Sequence, residues 1–197
     1  MASLFDDILV RGVRQGQIPA RTQDARDWFR EKARTNRSAA GYPANLMKDG
    51  GSKVDNPKVG NMYHFYYDPK GKGTLPYYDK FPLIFMVGPA KGGFYGINLH
   101  YLPPKLRAAL MDGLYTVVSD KRYDQNTKLR LSYNLLKGAS KYRYFRPTFK
   151  HYLTDNVNSE FLKIDSAEWD IALFLPTERF EKAKKSKVFA DSRKMIT

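Results

Sequence analysis

The chain has no cysteine in its 197 residues, which removes disulfide frameworks, thiolate metal sites and cysteine nucleophiles. Histidine is scarce: His64, His100 and His151 stand far apart, and none has a second histidine at the helical spacing of a zinc site. Long apolar runs are also missing. No window approaches the roughly eighteen uncharged apolar residues of a spanning helix, so no membrane partner is expected. The opening MASLFDDILVRGVRQGQ has a short apolar run interrupted by Asp6 and Asp7, with no basic region before it, and is not read as a signal peptide. No repeat at solenoid or propeller periods is visible.

Acidic residues are in deficit. Against 34 Lys+Arg stand 20 Asp+Glu, a formal net charge of +14. Such an excess repels itself unless nucleic acid, an acidic protein surface or an anionic membrane lies nearby, and nucleic acid or an assembly containing it is the leading candidate. The length suits one hydrophobic core with helical additions.

Residues 3–13 place Leu4, Phe5, Ile8 and Leu9 at helical spacing after Ser3, a plausible N-cap, and this amphipathic helix needs a surface to lie on. A second helix, capped by Thr22, buries Trp28 and Phe29 and ends near Asn36. Residues 37–58 are rich in Gly, Pro, Asn and Ser without a sustained period and read as a long wrapping connection. The centre is β-rich, with aromatic and aliphatic runs at Met62–Tyr67, Leu83–Val87 and Phe94–Tyr101 separated by PKGKG and GPAKGG turns. Pro103 and Pro104 open a helix carrying Leu106, Leu110 and Leu114; another follows with Leu129, Tyr133 and Leu136, stopped at Gly138. FKHYLTDNV after Pro147 reads as a helical turn or two, EFLKI as a short strand, Ser166 as a helix start, and the lysine-rich end as a mobile tail. The class is α+β: a small antiparallel sheet or SH3-like barrel flanked by N-terminal and C-terminal helices. Its expected parts are 1–58, 59–175 and a basic tail, 176–197.

Catalytic signatures are weak. DPKGKGT at Asp68–Thr74 has glycines and lysines, but Gly73 separates Lys72 from Thr74 and no earlier glycine has the offset of a phosphate loop, so a solvated turn is expected. Asp68 and Asp79 are the carboxylates nearest to a divalent-ion pair, yet Asp-Pro in a turn usually serves the backbone. His64 and His100 fall in predicted strands as structural residues. No catalytic residue, metal or cofactor is assigned.

The informative feature is SKYRYFRPTFKHY, Ser140 to Tyr152, where cations and aromatics interleave without a carboxylate. From Lys121 to Lys150 the cations are Lys121, Arg122, Lys128, Arg130, Lys137, Lys141, Arg143, Arg146 and Lys150, opposed in that span by Asp124. They are candidates for phosphate neutralisation, with Lys182, Lys184, Lys185 and Lys187 as a flexible second contact. Tyr142, Tyr144 and Phe145 are candidates for stacking on unpaired bases. The residues leave a second reading open, in which the aromatics are core and the cations lie on the solvated side.

Four runs carry a resemblance: MYHFYYDPKGKGTLPYYDKFPLIFMV, GGFYGINLHYLPPKLRAALMD, RYDQNTKLRLSYNLLKGASKYRYF, and EWDIALFLPTERF with a terminal DSRK. Together, over about residues 60–194, they resemble the DNA end protector proteins of contractile-tailed bacteriophages related to the T-even group. The resemblance implies a non-enzymatic virion protein, made in the host cytoplasm, that binds the ends of packaged double-stranded DNA and blocks host exonuclease. It also implies a part in head completion and head-tail joining within a multimeric assembly. The competing reading is a baseplate, neck or tail protein acting only through protein contacts, with Leu4, Phe5, Ile8 and Leu9 as its partner-binding face.

Overall fold

The computed structural model describes residues 3–18, 22–49, 51–118, 120–141 and 143–197. Its N-terminal part holds α1 (Leu4–Arg14), α2 (Gln23–Thr35), α3 (Pro43–Asp49) and β1 (Lys53–Val54). The centre holds β2 (Met62–His64), β3 (Tyr78–Asp79), β4 (Leu83–Ala90) and β5 (Gly93–Asn98), then α4 (Pro104–Val118) and α5 (Gln125–Lys141). The chain continues through β6 (Phe149–Leu153), β7 (Phe161–Ile164), α6 (Trp169–Phe174), β8 (Phe180–Glu181) and α7 (Lys185–Ile196). Tight 3-10 turns at Leu99–Tyr101 and Arg143–Thr148 join the middle elements.

The class is α+β. An antiparallel six-stranded sheet runs in the order β1-β7-β2-β4-β5-β6, and β3 pairs with β8 in a separate ribbon. The larger sheet is open, with β1 and β6 as edges, so the sheet alternative holds and the barrel does not.

Side-chain alternation explains the layering, because successive residues of a strand point to opposite faces. Leu83, Phe85 and Val87 of β4 join a large core with Met62, Ile97, Leu162 and Ile164, onto which the helices pack. Their neighbours Ile84 and Met86 turn to a second, aromatic cluster with Tyr63, Phe65, Phe94, Tyr152 and Phe161. The rings of that cluster meet mostly edge to face, as at Phe65 and Tyr152, whose centroids are 5.3 Å apart.

The first helix starts with a reciprocal capping box: Ser3 Oγ accepts from the Asp6 amide at 3.1 Å, and the Asp6 carboxylate accepts from the Ser3 amide at 2.9 Å. Thr22 caps α2 with a single bond, its hydroxyl accepting from the Ala25 amide at 3.1 Å. The two helices touch at Gly12, where an added Cβ would stand 2.4 Å from the Phe29 ring, so a side chain there would force them apart. Arg30 of α2 ties this pair inward, donating to Asp170 of α6 and to Asp112 of α4, both at 2.7 Å.

Three local expectations are corrected. Phe149–Leu153 is an edge strand rather than a helical turn: Tyr152 joins the aromatic cluster while Phe149 stacks on Tyr95 from the other face, a period-2 pattern that β5 can pair with. The connection 37–58 contains α3 and β1. The basic end is not a free tail, because it forms β8 and then α7, whose Val188 and Ser192 are buried.

Candidate nucleic-acid interface

The cations of the 121–150 span separate into classes. Lys121 and Arg146 are exposed. Arg122 is exposed but engaged, paired with Asp120 at 2.6 Å and lying over the Tyr123 ring. Lys137 is exposed beside Tyr133 on α5. Lys150 is half-buried, its Nζ 4.1 Å from the centre of the Tyr101 ring. Burial lowers its pKa from the ordinary lysine value to about 8. The side chains of Lys128, Arg130, Lys141, Arg143 and Tyr144, and the whole of Tyr142, lie outside the described residues.

Phe145, a base-stacking candidate, packs against the main core and lines an apolar cavity of about 400 Å³ with Leu110 and Leu135, between α4 and α5. It therefore stands as a packing residue, not an open stacking platform.

The C-terminal lysines also separate. Lys182 is an internal staple: its ammonium donates to the Lys72 carbonyl and, at 3.0 Å each, to the carbonyls of Gly73 and Leu75. An ammonium has three donors, so this one is fully used and the expected phosphate contact is corrected. The backbone of Lys182 has φ 68°, an uncommon conformation for a side-chain-bearing residue. Lys185 stands 3.6 Å from Glu178 and Lys187 3.1 Å from Asp191, whereas Lys184 is exposed at the start of α7. Exposed Arg193 and Lys194 at the other end of α7 were missed from sequence, although cations in a last helical turn complement the backbone dipole.

The fold brings the two basic stretches together. The turn Arg143–Thr148 packs directly against α7, and both abut Leu99–Tyr101. The turn that carries Arg146 and the helix that carries the α7 cations are thus neighbours although about 40 positions of sequence separate them, a relation only the packing reveals.

Beneath this surface lies a buried polar centre. Arg107, only 2 % exposed, donates to the carbonyls of Leu102 and Leu173 at 2.8 Å and of His100 at 3.0 Å, and to the Glu178 carboxylate at 2.7 Å. Burial pushes the Glu178 carboxyl up, but Arg107, His100 and Lys185 outweigh it and hold the pKa at about 2. Asp79 accepts from His100 Nδ1 at 2.7 Å and from Asn98 at 2.9 Å, and His100 Nε2 meets Thr177 Oγ1 at 3.1 Å.

A carboxylate only accepts, so His100 carries its proton on Nδ1, and in the neutral ring Nε2 accepts from Thr177. Sequence reasoning missed this Asp-His-hydroxyl line. It has the connectivity of a nucleophile relay, but all three residues are buried, and the void beside Thr177, shared with His64, is about 10 Å³, room for at most one water. A relay without substrate access is structural. His64 hydrogen-bonds the Pro82 carbonyl at 2.8 Å through Nδ1, while its Nε2 has no partner; burial and the neighbouring His100 lower its pKa to about 4. Asp68 pairs with Lys72 at 2.8 Å, remote in role from Asp79, and no cluster of three or more metal-type ligands occurs among the described residues.

The partner-binding expectation for α1 is corrected in part. Phe5 and Ile8 are 2 % and 6 % exposed because α1 lays its apolar face on α2 and α6, and Leu4 and Leu9 pack against the same core. The apolar side chains α1 leaves outside are Val10 and Val13. No helix among the described residues is long and apolar enough to cross a membrane.

Residues 11–196 match the model of a protein family described as phage T4 terminal DNA protecting protein. No match was found to a curated protein or to a solved structure.

Proposed function

The chain belongs to the phage T4 terminal DNA protecting protein family, and from that premise we propose that it binds the ends of packaged double-stranded DNA through the face formed by Arg143–Thr148 and α7. Arg146, Lys184, Arg193 and Lys194 neutralise phosphates there, with Lys121 and Lys137 extending the surface along the α5 side. The contact is to backbone charge, not base sequence, because it is built from side chains that act as point charges and guanidinium forks without a recognition helix set in a groove.

Protection is steric: a protein seated on the terminus denies an exonuclease its starting point, with no catalytic step by the protector. The buried state of the Asp79-His100-Thr177 line favours this non-enzymatic reading. The carrying observation is the packing of the Arg143–Thr148 turn on α7, which concentrates charge that the sequence distributes. In the same proposal the protein stays in the virion among head, neck or tail proteins, as part of a multimer that completes the head for tail joining. Exposed Val10 and Val13 of α1 are the residues offered to those neighbours.

Binding to linear duplex and to covalently closed circular DNA across a salt series tests this. The expected result is tighter binding to the linear form with a steep salt dependence, and for Arg146→Glu/Lys184→Glu a salt slope smaller by about 0.9 for each phosphate no longer neutralised. Equal binding to both forms, unchanged in the variant, overturns it.

A further inference from the structure

A second cavity, of about 320 Å³, opens beside the basic face, between the 69–78 loop, β6 and Tyr101. Its size is at the low end of the ~300–1,000 Å³ typical of small-ligand pockets. Tyrosines dominate the lining, with Tyr77 and Tyr78 half-buried on one side and Tyr101 behind them. Lys70 stands exposed on the loop, and Lys150 enters from β6 with its ammonium over Tyr101.

Three features distinguish this cavity from an accidental gap. The loop that forms its rim is fixed, since Lys182 binds the carbonyls of Lys72, Gly73 and Leu75. Lys150 is a partly desolvated cation with no carboxylate of its own among the described residues, and burial alone shifts its titration. A bound anion would remove that cost. The one carboxylate in the lining, Asp79, is 3 % exposed and already accepts from Asn98, His100 and the Phe81 amide, so its lone pairs point into the protein.

The cavity is also continuous with the proposed phosphate surface. Burial and then the neighbouring Asp191 carboxylate of α7 raise the pKa of Tyr77, and Phe180, just before the lysine-rich segment, packs edge-on against both Tyr77 and Tyr101. Aromatic faces stack on any base and buried ammonium groups take phosphate, so an aromatic pocket with a lone cation suits one unstacked nucleotide. In a duplex such a nucleotide is cheapest at the terminus, where fraying removes one stacking partner.

We infer that this tyrosine-lined cavity captures the frayed terminal nucleotide of the DNA, its base against Tyr77 and Tyr78 and its phosphate on Lys150 and Lys70. The inference rests on the DNA-binding reading above and adds to it the origin of end preference. The basic face holds any duplex; the cavity requires an end.

The test uses the full chain and linear duplexes carrying 2-aminopurine at the terminal or at an internal position, read by fluorescence, with circular duplex as the binding control. The terminal probe is expected to change on binding while the internal probe does not. Tyr78→Ala, at a half-buried position at the start of β3, and Lys150→Gln are each expected to abolish the terminal signal and cut the linear-over-circular preference roughly tenfold, with circular binding retained. Terminal and internal probes that behave alike, or an end preference unchanged in both variants, overturn the cavity assignment while leaving the phosphate face standing. Absence of salt-dependent binding to either DNA overturns the face, and the cavity assignment with it.

Discussion

Arg107 and Arg146 are the same residue type put to opposite uses. Arg107 is buried with four of its five N–H donors engaged by Leu102, Leu173, His100 and Glu178, which joins the end of the sheet to α4, α6 and the segment leading to β8. Arg146 is exposed on a turn that packs on α7. A net charge of +14 therefore overstates how uniform the cations are: some are internal fasteners whose removal breaks the fold, and others are free to meet a polyanion. The two groups respond differently to substitution and to pH.

The largest effect is expected at Arg107. Arg107→Ala leaves the buried Glu178 carboxylate with only the more distant, half-exposed Lys185 ammonium at 3.6 Å and strips three carbonyls of their donor, a loss of about 3–5 kcal/mol. Urea unfolding at neutral pH measures it. In Arg107→Met/Glu178→Leu both charges are gone, and the cost is expected to be smaller than for Arg107→Ala, because most of the single-variant loss is the buried carboxylate deprived of its hydrogen-bonded partner. A double variant as unstable as the single would assign the loss to packing and the carbonyls instead.

Acidification acts on the same buried centre. The folded-state pKa of His64 is depressed to about 4 from 6.5, and that of Glu178 to about 2 from 4.5. For both groups the unfolded chain binds the proton first, so their contributions are complete above the unfolded values and vanish as pH falls, for His64 between 6.5 and about 4 and for Glu178 between 4.5 and about 2. The groups facing His64 are His100 and Asp79, with the Pro82 carbonyl on its Nδ1. A shift of this size corresponds to roughly 3 kcal/mol for each group. Unfolding midpoints are expected to drop from about pH 6.5 downward, and His64→Asn should flatten the upper half of that profile.

These fasteners mark where reading the sequence stops. The Ser3 cap, the Thr22 cap and the alternation through Leu83–Val87 were legible, since each depends on residues within a turn or two of one another. The edge strand at Phe149–Leu153 was not. Pro147 suggests a helix start locally, and only pairing with β5 selects the extended form. Lys182 and its partner Lys72 are 110 positions apart, so nothing local separates a loop staple from a phosphate ligand. The same holds for Asp79, His100 and Thr177, each unremarkable alone. Of the candidate face, charge and location in the chain were legible, whereas its assembly from the Arg143–Thr148 turn and α7 is tertiary.

Lys182 lies between the two classes, exposed yet fully hydrogen-bonded, and a smaller effect is expected there. Lys182→Met releases the Lys72, Gly73 and Leu75 carbonyls to water, at a cost of about 1 kcal/mol because solvent takes over much of the bonding. Hydrogen exchange should show faster amide turnover confined to the 71–75 segment and its surroundings. An unchanged loop with weaker DNA binding would move Lys182 back among the phosphate ligands.

The smallest stability effect belongs to the exposed cations. Arg146 and Lys184 both point into solvent, so the effect of Arg146→Glu/Lys184→Glu on unfolding free energy is expected within about 0.5 kcal/mol. The double variant reverses one charge on the turn and one at the start of α7, so binding to duplex should fall steeply at low salt and much less at high salt, where counterions already screen the phosphates. A variant that keeps its stability and loses binding separates surface cations from fasteners. One that loses both would mean that the turn and α7 hold each other through these charges, and that the basic face is a structural joint.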